Sequence, residues 1–253
     1  NIEDKVDGNG ALDASAESDG VYRRIPMFVT LKDKIYPSLV AESLRVAQDA
    51  STFIIQAVGA SGEEGFGETG LVSFKVGAVK VPTDENGQIW VRFTGDIPER
   101  YVPAWKLLDG SAPAEKLEGH IVLIGTSAAA MKDVRATPLD PAAAGVSLHA
   151  EALETILTGN FLSRPDFAHG LEVVASFLLG LLLIWLLPKW GSIWCAVLTF
   201  AAIVGVVGGA WYAFDVYNWL LDPIYFSVVI LVIYLTQSLI IFLATEAERA
   251  RVR

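Results

Sequence analysis

Residues 167–187 read FAHGLEVVASFLLGLLLIWLL, and two further runs of the same kind follow. They are SIWCAVLTFAAIVGVVGGAWYAF, from Ser192 to Phe214, and PIYFSVVILVIYLTQSLIIFLA, from Pro223 to Ala244. Each holds 21 to 23 residues. At about 1.5 Å rise per residue a helix of that length reaches ~30 Å or slightly more, the thickness of a bilayer's hydrocarbon core. Soluble helices so long carry polar stripes, and these carry almost none. The chain therefore ends in three membrane spans, an all-α transmembrane domain.

Working outward, the charges separate along the chain. Of 253 residues, 19 are Lys or Arg and 29 are Asp or Glu, for a net charge of -10. Residues 1–166 carry -9 of it and residues 167–253 only -1. The chain is 53% hydrophobic, with a mean hydropathy of +0.44. These numbers describe a polar, acidic head followed by a membrane domain. Scattered cations offer no basic stripe for a phosphate backbone, so nucleic acid is excluded as a partner. Cys195, the single cysteine, lies within an apolar run, which excludes an intrachain disulfide and a zinc-type cluster.

The residues between spans set the expected orientation. Pro188-Lys189-Trp190-Gly191 carries a cation and no acid, and Arg249, Arg251 and Arg253 follow the third run. The other loop has Asp215, Asn218 and Asp222 and no cation. The positive-inside rule puts the first loop and the C-terminus in the cytoplasm and the head outside. We read the chain as the middle of a longer polypeptide, since an external head requires an upstream signal anchor or span to carry it across. The third run continues without Gly or Pro to Arg253. It is expected to leave the membrane as a rigid helix, either a coupler or an anchor with a stop-transfer charge cluster.

Ala201, Gly205, Gly209 and Ala213 recur at spacing four in the second run. Such a stripe lets another helix approach closely, from the same bundle or from a second copy. His169 and Glu172 lie one turn apart near the outer boundary, where they could mark an ion path or simply reach interfacial water.

The head alternates strands and helices, the pattern of an α/β layered domain. Residues 1–20 read as a solvated linker, because the spacing of Asp7, Asn9 and Asp13 fails the EF-hand rule. Strands are expected at Val21 to Ile25 and Met27 to Thr30, and a helix at Pro37 to Ala50 with Leu39, Val40, Leu44 and Ala47 on one face. Gly59 to Gly70 reads as a mobile acidic loop. Val76 to Val81 and Gln88 to Phe93, joined at Asp84-Glu85-Asn86-Gly87, are expected to form a hairpin. A short helix covers Pro103 to Leu108, HIVLIG at His120 to Gly125 is a buried-type strand, and Val146 to Leu157 is a helix closed by Gly159.

The segment from Leu117 to Pro165, LEGHIVLIGTSAAAMKDVRATPLDPAAAGVSLHAEALETILTGNFLSRP, resembles the C-terminal half of the CHASE2 sensor domain of bacterial receptors. The matching parts are Gly119 to Ala128, Thr137-Pro138-Leu139, Ala144 to Ala150 and Gly159 to Pro165, followed by three spans. Ser18 to Pro26 and Tyr36 to Leu39 are similar to that family's middle section. His120, Ala144 and Ser147 stand where the family commonly has Lys, Pro and an acidic residue. The resemblance covers residues 17–253 and leaves the extracytoplasmic sheet partial, because the family's N-terminal half is not represented.

What the resemblance implies is a sensor head, an extracytoplasmic ligand and a cytoplasmic output domain on the same polypeptide, in the bacterial cell membrane. The tail Glu246 to Arg253 looks most like the helix leading into class III adenylate or guanylate cyclases. Those need ATP or GTP, two metal ions such as Mg or Mn, and a homodimer. A histidine kinase, or a membrane assembly module without output, are the alternatives. Within the chain no nucleophilic triad, P-loop or H-E-x-x-H pattern is present, so catalytic residues and a resident cofactor or metal are not expected.

The candidate ligand-binding residues are Gly125, Thr126, Ser127, Asp133 and His149. The Gly-Thr-Ser loop follows a strand and could cradle an anion with its amides, or could only close a tight turn. Asp133 and Arg135 are placed to pair and pin the next loop. His149 sits on an amphipathic helix with Leu148, Leu153 and Ile156, as a structural histidine or as a pH sensor or ligand.

Overall fold

The computed structural model describes residues 5–57, 70–126, 133–165 and 167–252. They form two compact units, Asn1–Leu162 and Ser163–Arg253. The first mixes short strands with helices; the second holds the three apolar helices. The fold class is thus an α/β head followed by an all-α membrane domain.

In the head, β1 (Arg24–Pro26), β2 (Phe28–Leu31) and β3 (Lys34–Pro37) lead into α1 (Leu39–Ala47). Ser38 caps α1, its hydroxyl accepting the Ala41 N–H at 3.2 Å, which satisfies one of the helix's orphan donors. The helix starts later than the sequence suggested because β2 and β3 pair through Pro37. It buries Val40, Ala41 and Leu44, while Ala47 is exposed. Residues 7–14, expected as a solvated linker, lie along this element. Ala11 bridges to Ser38, the Arg45 guanidinium donates to the Asp7 carbonyl at 2.7 Å, and Ala14 packs on the core.

Next come β4 (Phe53–Ala57), β5 (Leu71–Val76), β6 (Val79–Pro82) and β7 (Gln88–Trp90). β4, β5 and β6 form one antiparallel sheet. The expected hairpin between 76–81 and 88–93 does not form, because Val76 pairs with Val79 across a tight turn at Gly77 and Ala78. The Asp84 turn does close, with Asp84 Oδ1 accepting from the Asn86 and Gln88 amides at 3.0 and 2.8 Å. It delivers β7 to β1 instead. Residues 59–69 of the acidic glycine loop lie outside the described residues.

After α2 (Ala104–Leu108) the HIVLIG segment departs from expectation. It enters no sheet among the described residues. Ile121 and Leu123 pack on the core, while Val122 and Ile124 are 48% and 90% exposed. The period of two is present in the burial, but among the described residues no strand pairs with it, so the apolar pattern that predicts a central strand leaves one face open. The ribbon of β8 (Val134–Arg135) and β9 (Ala143–Ala144) then leads into α3 (Gly145–Thr158). Gly159 ends α3 at φ +69°, a left-handed cap that a Cβ would strain.

One core unites the head: Ile25, Met27, Val40, Leu44, Phe74, Val76, Val81 and Ile89 meet Leu148, Ala152 and Ile156 of α3. Phe28, Phe53 and Phe74 cluster edge to face, with centroids 5.1 to 6.3 Å apart, a geometry that adds to their area burial.

The membrane-capable helices are Phe167–Leu186, Ile193–Tyr217 and Pro223–Ala250. The first two are separated by a break at Gly191, whose φ of 79° and ψ of 164° no helix can hold. The third belongs to one unbroken helix, Pro223–Val252. Only 22%, 11% and 11% of the most apolar window of each is buried, so their apolar side chains face outward all round, as lipid requires. Leu183, Phe226 and Ile230 hold the bundle at one level, and Leu186 and Cys195 at another.

Candidate functional site

The N-terminal turn of α3 gathers most of the residues singled out by sequence. The Asp133 carbonyl accepts the Gly145 N–H at 2.9 Å, and its carboxylate lies against the Gly145 Cα so closely that a side chain there would collide with it. Arg135 is 3.5 Å from the Asp133 carboxylate and stacks over Tyr22 at 5.4 Å. His149 follows one turn on, 6% exposed, its Nδ1 without a partner among the described residues. Burial pushes the imidazole below its ordinary value of 6.5; Asp133 opposes the shift and Arg135 adds to it. Burial disfavours the charged ring here more than the nearby carboxylate favours it.

Gly125 reaches the same turn from the other side, where a Cβ would collide with Val146. This position therefore serves close packing. Thr126 is exposed. Ser127, the remaining member of the expected set, lies outside the described residues.

A second feature lies on the opposite flank of α3. A cleft of about 290 Å³ is lined by Phe93, Gly95, Asp96, Tyr101, Thr137, Leu139, Asp140, Ala142–Ala144, Ser147 and Glu151. Three segments build it: residues 93–101, the 137–144 stretch that contains Thr137-Pro138-Leu139, and the first turns of α3. Glu151 anchors them, its Oε2 accepting the Thr94 N–H at 2.8 Å and the Thr94 hydroxyl at 3.0 Å. Arg100 reinforces the tie, donating to both Glu154 oxygens at 2.8 and 2.7 Å. Tyr101 stands at the same wall; partial burial, with the negative charge of Asp96 adding, raises its phenol above the ordinary value.

Thr137 and Ser147 were named from sequence only as parts of the family resemblance, and no polar group of this cleft was assigned a ligand. Its members come from two loop stretches and the start of α3, brought together across more than fifty positions, so no local spacing betrays them. The Thr137-Pro138-Leu139 motif was the available signal, since Thr137 and Asp140 knit that loop to itself. The Thr137 hydroxyl donates to the Asp140 carbonyl at 3.0 Å and accepts from its amide at 3.0 Å.

In the membrane unit, Glu172 is a staple. One oxygen accepts from Arg164 at 3.0 Å and the other from the Asp222 amide at 3.0 Å. Asp222 in turn caps the third helix through the Ile224 amide at 2.9 Å. Both carboxylate oxygens are thereby used in structure, which leaves the ion-path reading of His169 and Glu172 without a free carboxylate. The small-residue stripe is open: a Cβ at Gly205 or Gly209 would meet nothing within 4 Å. Ala201 is exposed, and only Ala213 is buried. The stripe is thus buried at Ala213 and open at Ala201, Gly205 and Gly209.

An α/β head with a polar cleft, followed by three helices long and apolar enough to cross a membrane, is the architecture of a membrane-anchored sensor. The family model for the CHASE2 domain matches residues 2–207. The chain belongs to the CHASE2 domain family. No curated protein and no solved structure gives a significant match.

Proposed function

We propose that this chain is the sensing and membrane-spanning portion of a bacterial receptor that passes an extracytoplasmic signal to a cytoplasmic class III nucleotide cyclase. The single observation that carries the reading is the unbroken helix Pro223–Val252. At about 1.5 Å per residue its 30 residues extend ~45 Å, well beyond a ~30 Å hydrocarbon core. A helix that leaves the bilayer without a break carries rotation or displacement to whatever it joins. The charge pattern of the loops favours a head outside and the third helix ending inside.

On this reading α3 passes the signal along the chain through residues 159–166 to the first span. Ligand shifts the relative pose of two heads, and paired third helices alter the distance between two cyclase halves. The cyclase would require ATP or GTP with Mg or Mn, bound by the output domain and not by this chain.

The test is nucleotide turnover by the full-length receptor in nanodiscs, with and without a Gly-Gly insertion after Ala244. Cyclic nucleotide formed by the intact protein, and unregulated after the insertion, is the expected result. Radiolabel from ATP appearing on the protein, without cyclic product, would overturn the cyclase reading in favour of a histidine kinase.

A further inference from the structure

We propose that the cleft beside α3 binds a small organic cation, a primary amine or guanidine presenting several N–H donors. This deepens the sensing role proposed above by naming its ligand class, and depends on that reading only for the consequence of binding. The volume of about 290 Å³ lies close to the lower end of small-molecule sites, about 300–1,000 Å³. Leu139 and Tyr101, 61% and 46% exposed, mark where the cleft meets solvent.

The hydrogen-bonding inventory of the wall decides the class. Three carboxylates line it, Asp96, Asp140 and Glu151, and no Lys, Arg or His. Two of its hydroxyl protons are already committed. Thr137 donates to the Asp140 carbonyl and Ser147 to the Ala144 carbonyl at 2.6 Å, while Tyr101 stands at the solvent edge. On the acceptor side, Asp140 Oδ1 takes the Ala142 amide at 2.8 Å and Glu151 Oε2 takes Thr94, which leaves Asp140 Oδ2 and Glu151 Oε1 without partners among the described residues. The side chains thus offer acceptors and negative charge, and the complement is a positively charged donor.

The nearest arginine does not neutralise this wall, because both terminal nitrogens of Arg100 are spent on Glu154. Nor is a metal ion the better occupant: among the described residues no three His, Cys, Asp or Glu side chains converge as a metal site requires. Carboxylates spread around a cleft suit a ligand whose donors are spread as well. A cation held at once by the 137–144 loop and by Glu151 would draw that loop onto α3. The head's net charge of -9 raises the local concentration of such ligands.

The experiment is calorimetric titration of the full-length protein in nanodiscs with putrescine and with agmatine, using butanediol as the neutral isostere. Saturable binding of one amine, absent for butanediol, is expected. Asp140→Asn should weaken it about tenfold, the loss of one charge-assisted hydrogen bond. Leu139→Trp, at an exposed position that the core does not need, should block the mouth to similar effect. Failure of both amines to bind the intact protein, equal binding of butanediol, or unchanged affinity in both variants would overturn the assignment. Amine binding without any change in nucleotide turnover would uphold the cleft and count against the cyclase reading.

Discussion

At the scale of single residues, His149 shows how burial and charge compete. Its imidazole is depressed chiefly by desolvation, so the folded head holds it neutral while the unfolded chain protonates it near 6.5. The unfolded state then binds more protons as pH falls, and stability declines from about 6.5 downward until the folded group also titrates. The head should melt at a lower temperature near pH 5 than at neutrality, and His149→Gln should flatten that dependence. Thermal unfolding of both proteins across this range checks it, and parallel pH curves would reject the linkage. The burial of His149 was legible in sequence from its helical phase with Leu148, Leu153 and Ile156. Its orphaned Nδ1 was not, because partners are decided by Asp133 and Arg135 on another element.

Elements were legible where their signals were local and illegible where a partner decided them. α3 was foreseen nearly residue for residue, because amphipathic period and a glycine stop lie within one stretch. Gly159→Ala should cost about 1–2 kcal/mol by forcing a Cβ into the left-handed region, seen as a lowered melting temperature of the head. The hairpin was misassigned although its alternation was read correctly. Two turns competed for strand 79–82, and the tight one at Gly77 won, while Arg24 binds Asp84 at 3.2 Å and covers Trp90 at 4.8 Å, holding β7 to β1. HIVLIG carries the same lesson, since a strand's pattern does not supply its neighbour. The sheet that did form depends on Phe74, 1% exposed between Phe28 and Phe53. Phe74→Ala should cost about 3–5 kcal/mol through lost burial and the cavity left behind. Hydrogen exchange of the β5 amides reads this directly: protection should fall across β4, β5 and β6, and unaltered exchange would remove Phe74 from the core's centre.

At the scale of the whole molecule, the spans were the most legible feature, because an all-round apolar helix needs no partner to be recognised. The stripe on the second span reads from sequence first as a packing face for a neighbour in the same bundle, with a second copy as the alternative. The structure buries Ala213 of the stripe and leaves open space over Gly205 and Gly209. If the proposed cyclase output is right, two copies must meet, and a shallow apolar face over two helical turns would permit close backbone approach. Gly205→Leu and Gly209→Leu should each weaken self-association by about 1–3 kcal/mol, as overpacking does in a filled core. Val207→Leu, two residues away and so on another face, should not. Energy transfer between differently labelled copies in nanodiscs of varied protein-to-lipid ratio measures this. Loss confined to the two glycine variants supports pairing through the stripe, and equal association of all four proteins would place the dimer seam elsewhere.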